Sequence, residues 1–114
     1  MEARELMKGN LVMYYNKIHT IQTIGQWCHT DLSSDELPID KLKRIPLTDE
    51  WLLRFGFDKK SKNQEWILNK IRICETVHKG LCWVDNDIDF IEVNNVHQLQ
   101  NLYFALTGQE LELK

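Results

Sequence analysis

The sequence predicts an α+β fold built mainly on antiparallel sheet. Three observations predict it. Short β-branched and aromatic runs, such as Leu11 to Tyr15 and Ile18 to Ile24, alternate with turn residues over most of the chain. Only two segments carry helix signals, at about 48–55 and 96–107. The second part, from Trp66 to Val93, reads as an antiparallel meander.

Length and composition set the frame. A chain of 114 residues suits a single domain, 1–114, large enough to bury one core. Its 43% hydrophobic and 27% charged residues are those of an ordinary globular protein. The longest apolar runs are far shorter than the roughly 20 residues of a membrane-spanning helix. Nor does the Met1-Glu2-Ala3-Arg4-Glu5 start lead into a secretory apolar stretch. The expectation is a soluble cytoplasmic protein without a membrane. A net charge of −3 does not point to a polyanionic partner. Three cysteines cannot all pair within one chain, so Cys28, Cys74 and Cys82 are read as free thiols that pack as small apolar groups.

The N-terminal part reads as a small curled, barrel-like sheet. Leu11 to Tyr15 is one strand, Asn16-Lys17 a two-residue turn, and Ile18 to Ile24 a second strand. Gly25 breaks the run and Gln26 to Thr30 is a third short strand. Asp31 to Glu36 reads as a polar loop. Pro38 and Pro46 confine Leu37 to Leu47 to an edge segment or one irregular turn.

A short helix follows. Thr48 is an N-cap, Asp49 and Glu50 suit the positive end of the helix dipole, and Gly56 can close the end. Trp51, Leu52 and Phe55 share a face. Asp58 to Gln64 has no apolar residue and reads as an exposed loop and the place for a seam at 58–64. Trp66 to Val77 is then a strand with Ile67, Ile71, Ile73 and Val77 on one face, interrupted at Asn69. A Lys79-Gly80 turn leads to Leu81 to Val84, and an Asp85-Asn86 turn to Asp87 to Val93. The last helix, 96–107, has Asn95 and Gln98 at capping-box spacing, an apolar stripe of Val96, Leu99, Leu102, Tyr103 and Leu106, and Gly108 just past its end. Gln109 to Lys114 alternates Leu111 and Leu113 with glutamates and reads as a final, C-terminal strand.

Two segments carry a resemblance. Ile45-Pro46-Leu47-Thr48-Asp49-Glu50-Trp51-Leu52-Leu53-Arg54-Phe55-Gly56-Phe57 and Val96-His97-Gln98-Leu99-Gln100-Asn101-Leu102-Tyr103-Phe104-Ala105-Leu106-Thr107-Gly108, with the Lys8-Gly9-Asn10-Leu11-Val12 start, resemble a family of short uncharacterised proteins from gut anaerobic bacteria and their prophages or mobile elements. The resemblance spans most of the chain and implies a setting without a mechanism. The N-terminal pattern is also similar to a small SH3-like barrel, an analogy of fold alone.

Each candidate chemistry stands beside a plainer reading. Cys74, His78 and Cys82 recur every four residues across a hairpin, but zinc wants four convergent ligands, usually with close pairs. Cys28 and His29 are adjacent, so a strand points them to opposite faces and no nucleophile–base pair forms. Asp85, Asp87 and Asp89 open like a calcium loop, yet Phe90 stands where glycine is needed and Val96 where the bidentate glutamate is needed. No phosphate-cradling or hydrolase motif is present. No cofactor and no catalytic residue are therefore expected. Lys41, Lys43 and Arg44, with Lys59, Lys60 and Lys62, could form a basic edge, and Trp27 or Tyr14 a stacking surface for single-stranded nucleic acid. The plainer reading is a solvated face interleaved with Asp40, Asp49 and Asp58. Trp51, Trp66 and Trp83 are expected in the core. The resulting expectation is a non-enzymatic interaction or accessory protein of a phage or mobile element, binding a protein partner or a second copy of itself. The alternative is a nucleic-acid-binding accessory protein. Trp27, Lys41, Lys43 and Arg44 mark the candidate partner surface.

Overall fold

In the computed structural model, which describes residues 1–60, 65–76, 80–85 and 89–114, the chain is α+β with two antiparallel sheets and two α-helices, α1 (Asp49–Arg54) and α2 (Val96–Thr107). It divides into two compact units, Met1–Pro46 with Asn95–Glu110, and Leu47–Asn94 with Leu111–Lys114. Within the expected seam, Asp58–Lys60 forms a strand, and residues 61–64 lie outside the described residues.

The first unit holds a four-stranded sheet in sequence order: β1 (Leu11–Tyr14), β2 (Lys17–Ile24), β3 (Trp27–Thr30) and β4 (Ser33–Pro38). The β1–β2 turn differs from the expectation by one residue. Tyr14 pairs with Lys17, so Tyr15 and Asn16 are the turn residues, with φ of 47° and 64°. Two positive φ values in a row match the twist of the hairpin, and the left-handed tolerance of Asn16 serves the second position rather than the first. A second correction concerns Asp31 to Glu36. Only Asp31 and Leu32 turn; Ser33–Pro38 is β4, whose exposed polar residues hide it from a reading by β-propensity. Pro38 ends β4, and Ile39–Lys41 is the irregular turn expected there, a single 3-10 turn.

Beyond that turn Lys43 exchanges both backbone hydrogen bonds with Met13 of β1, at 2.8 and 2.9 Å. This is one bridge and not a fifth strand, so the barrel stays open. Alternation sets the core: Val12, Ile21, Cys28 and Leu37 point inward from the four strands and meet Leu6 and Leu42.

Helix α2 closes this unit. Gln98 accepts the Asn95 backbone N–H at 3.1 Å, and Gly108 ends the helix with φ of 75°, as the sequence predicts. Its buried face is Val96, Leu99 and Tyr103, joined by two polar residues, His97 and Gln100. Leu106, expected in the stripe, is exposed.

The second unit is a meander in sequence order: β5 (Asp58–Lys60), β6 (Glu65–Leu68), β7 (Ile71–Thr76), β8 (Gly80–Asp85) and β9 (Asp89–Glu92). The expected single strand Trp66 to Val77 is two strands. Asn69 and Lys70, with φ of 48° and 69°, form a hairpin turn between β6 and β7. Helix α1 precedes the sheet, and at its start Thr48 Oγ1 accepts the Trp51 N–H at 3.5 Å. Leu52, Phe55, Phe57, Trp66, Ile73, Val84 and Val93 fill the core. Trp51 and Trp66 are buried as expected, and Trp83 is half-buried.

The expected C-terminal strand is absent. Leu111 is buried, but Leu113 is exposed, and the backbone contact of the segment is Lys114 N–H to the Arg54 carbonyl at 2.7 Å. Alternation of Leu with Glu supplies a strand-like pattern, yet a strand also needs a ladder of hydrogen bonds to an open edge, and 109–114 has none.

Candidate functional site

The side chains of β3 alternate. Cys28 and Thr30 are buried, and Trp27 and His29 stand on the outer face. The turn Gly25-Gln26 returns the chain so that Thr23 lies directly opposite His29 in the register. Trp27 is 47% exposed, unlike the other three tryptophans. It lines a shallow cavity of about 250 Å³ with Thr23, Ile24, Gly25, His29 and Glu36.

Polar contacts cross this face. Thr23 Oγ1 lies 2.7 Å from His29 Nδ1, and His29 Nε2 lies 3.6 Å from Glu36 Oε1. Three strands thus align a hydroxyl, an imidazole and a carboxylate. A nucleophile relay has the same order of groups, but here the imidazole and the carboxylate are about half exposed and 3.6 Å apart. Triad catalysis draws its rate from a firmly oriented base and from donors held in a water-excluded site. From Ile18 to Asp40 the chain carries Asp31, Asp35, Glu36 and Asp40 and no Lys or Arg. Lys17 and Lys41 flank this stretch, and Glu36 is the acidic residue that lines the cavity.

The three basic residues of the candidate surface are Lys41, Lys43 and Arg44. None lines the Trp27 cavity. Lys41 ends the 3-10 turn and is exposed, and Lys43 makes the backbone bridge to Met13 with its side chain exposed. Arg44 is committed to Glu5 in a bidentate pair, Nε to Oε1 and Nη2 to Oε2, both at 2.9 Å. Lys59, from the other basic group, lies over the Trp66 ring at 5.5 Å.

Glu5 also faces α2. His97 Nε2 is 3.2 Å from Glu5 Oε1, and His97 is 1% exposed, with its Nδ1 buried and without a hydrogen-bond partner among the described residues. Arg44 holds the Glu5 carboxyl below its usual range, against the opposing effect of burial. Burial holds the His97 ring below the usual histidine range, partly offset by the Glu5 carboxylate. The imidazole is thus neutral, with Nε2–H donating to Glu5. Sequence reading misses this triad because its members stand at positions 5, 44 and 97.

Among the described residues no group of three or more His, Cys, Asp or Glu could hold a metal ion. Of the residues weighed for metal, calcium or nucleic-acid roles, His78, Asp87 and Lys62 lie outside the described residues. Cys28 is buried in the first core, where desolvation raises its thiol above the usual range. Cys74 and Cys82 are direct cross-strand partners on β7 and β8. No described helix is long and apolar enough to cross a membrane. A second cavity, about 380 Å³, lies within the other unit and is lined by residues including Thr48, Asp49, Glu75, Gly80, Leu81 and Asn94. Comparisons with protein-family models, curated proteins and solved structures return no match.

Proposed function

We propose that this protein is a non-enzymatic interaction or accessory protein, of the kind phages and mobile elements encode, which docks a protein partner in the cytoplasm through the outer face of β3. The observation that carries the reading is Trp27, an exposed tryptophan seated in a concavity between polar groups. Tryptophan is the side chain most enriched among residues that dominate binding energy, and it is otherwise costly to leave in water. The SH3-like analogy, carried into this reading, supplies a scaffold suited to presenting such a face, and the four-stranded sheet with the 3-10 turn after it is compatible with an open form of it. Charge complementarity points to a partner segment bearing Lys or Arg, whose cation meets the Trp27 ring and Glu36 together.

The test uses fluorescence anisotropy with labelled Gly/Ser octapeptides carrying three Arg or three Glu. The Arg peptide binds and the Glu peptide does not. Trp27→Ala weakens binding by about two- to fivefold, the worth of a cation–π contact at an exposed site, while leaving the urea midpoint unchanged. Glu36→Gln weakens it by a similar factor. Binding untouched by Trp27→Ala would overturn the proposal. So would a steep, salt-dependent shift of DNA or RNA lost on Lys41→Ala and Lys43→Ala, which is the outcome expected of a nucleic-acid-binding protein. A mass that doubles with concentration and reverts in Trp27→Ala would make the partner a second copy of the chain.

A further inference from the structure

The register of the second sheet sets Cys74 of β7 directly across from Cys82 of β8. Opposed residues of an antiparallel pair share one face of the sheet, with Cα atoms about 4.5–5.5 Å apart. That spacing falls within the roughly 4.4–6.8 Å that a disulfide spans. The two thiols also differ in access. Cys82 is fully buried, whereas Cys74 is half-buried. The third thiol, Cys28, sits in the core of the other unit and is fully buried.

We propose that Cys74 and Cys82 form an oxidation site, in which a hydroperoxide converts the pair to a cross-strand disulfide. The Cys74 thiolate attacks the peroxide: an S–O bond forms, the O–O bond breaks, and water or an alcohol leaves. The Cys82 thiolate then attacks the Cys74 sulfenic acid. The S–S bond forms, the S–O bond breaks and a second water leaves. The two thiols lose two electrons and two protons, and the peroxide is reduced. Placement of the second thiol across a single rung makes this closure intramolecular, and so faster than capture by a second protein or over-oxidation by more peroxide.

The bridge would do more than cross-link two strands. Glu75, Gly80 and Leu81 lie on the strands inside the span from Cys74 to Cys82, and all three line the 380 Å³ cavity of this unit. Oxidation therefore pins one wall of that cavity.

The experiment treats the folded full chain with hydrogen peroxide, alkylates remaining thiols and reads the mass before and after trypsin. The expected product is a monomer lighter by about 2 Da, with one alkylatable thiol left on Cys28. Cleavage after Lys79 separates the two cysteines, so the link appears as peptide 73–79 joined to peptide 80–114. In denaturant, chain-closure statistics already favour the Cys74–Cys82 loop, with a separation of 8 residues against 46 and 54 for the pairings with Cys28, so the denatured chain serves as the reference for rate, and closure is faster in the folded protein. In Cys82→Ser, Cys74 accumulates as a sulfenic acid that dimedone traps. A bond to Cys28, a disulfide-linked dimer, or Cys74 carried to the sulfinic acid beside a free Cys82 in the folded wild-type protein would each overturn the proposal. Inertness of the folded pair at a peroxide dose that oxidises the denatured chain would do the same. Because the wild-type mapping needs no variant, a Cys82→Ser that failed to fold would leave the test intact.

Discussion

Gln100 replaces a missing backbone neighbour, and removing it gives the sharpest test of how the first unit is held. Its Oε1 accepts the Leu11 N–H at 2.8 Å, and its Nε2 donates to the Gly9 carbonyl at 3.0 Å. A carbonyl can only accept and an N–H can only donate, so these two partners fix the amide's orientation. Asn101 extends the clasp, receiving Asn10 Nδ2 at 2.8 Å and donating to the Glu5 carbonyl at 3.0 Å. Gln100→Met keeps the length and removes both polar atoms. The Leu11 N–H is buried and loses its acceptor, which costs about 1–3 kcal/mol. The Gly9 carbonyl is half-exposed and can recruit water, so its loss adds only about 0.5–1 kcal/mol. The expected sum is about 2–4 kcal/mol, a large part of the roughly 5–15 kcal/mol by which small domains are stable. With a urea slope of about 2 kcal/mol per molar, the midpoint falls by about 1–2 M. Urea melts followed by circular dichroism and by tryptophan fluorescence read it, and an unchanged slope confirms that stability alone has moved. A loss under about 0.5 kcal/mol would refute the clasp, because it would mean that water serves the Leu11 N–H as well as Gln100 does.

Three further outcomes follow from the same structure. His97 is depressed in the folded state, so the unfolded chain binds more protons below its ordinary value of 6.5; stability therefore falls as pH drops through 6.5, by at most about 1.4 kcal/mol per pH unit for one proton. The pH dependence of the urea midpoint between about 7.5 and 5 should flatten in His97→Asn, and a wild-type midpoint that rises on acidification through that range would contradict the assignment. Glu5 is also depressed, from an ordinary value of 4.5, so its contribution is present above that value and is lost only at more acid pH. Gly56 has φ of +91°, and a Cβ there would stand 2.9 Å from Lys114 Cγ; Gly56→Ala should cost about 1–2 kcal/mol in a thermal melt, whereas Gly25→Ala, with only the Trp27 carbonyl at 3.9 Å, should change it by less than about 0.5 kcal/mol.

What is legible in the sequence is local. Helix α2 can be read from Asn95, Gln98 and Gly108 because caps act within one turn. Helix α1 can be read from Thr48 and Gly56 for the same reason. The β1–β2 turn is read one residue off and the β6–β7 turn is missed, because Tyr15 and Lys70 are ordinary residues forced into the left-handed region beside a willing asparagine. Strand β4 is hidden because an exposed edge needs no apolar residues, and the terminal Leu/Glu alternation misleads because pattern alone does not provide an edge to pair with. Of the candidate surface, Trp27 stands exposed, and its neighbours Thr23, His29 and Glu36 come from three strands and become adjacent only through register. The burial of His97 and Gln100 is invisible for a similar reason: their partners are Glu5, Gly9 and Leu11, about ninety positions away.

The division of the chain has a bearing on synthesis. Residues 1–46 reach the solvent first, but the helix that covers them begins at Asn95, after the whole of 47–94 has been made. At about 5–20 residues per second, that interval lasts roughly 2–10 s. Throughout it the Leu11 N–H has no Gln100 to accept its hydrogen bond, and Glu5 has no His97. A ribosome that stalls before Asn95 would release a product whose first sheet has no lid, so chaperone contact with nascent chains should concentrate in this window.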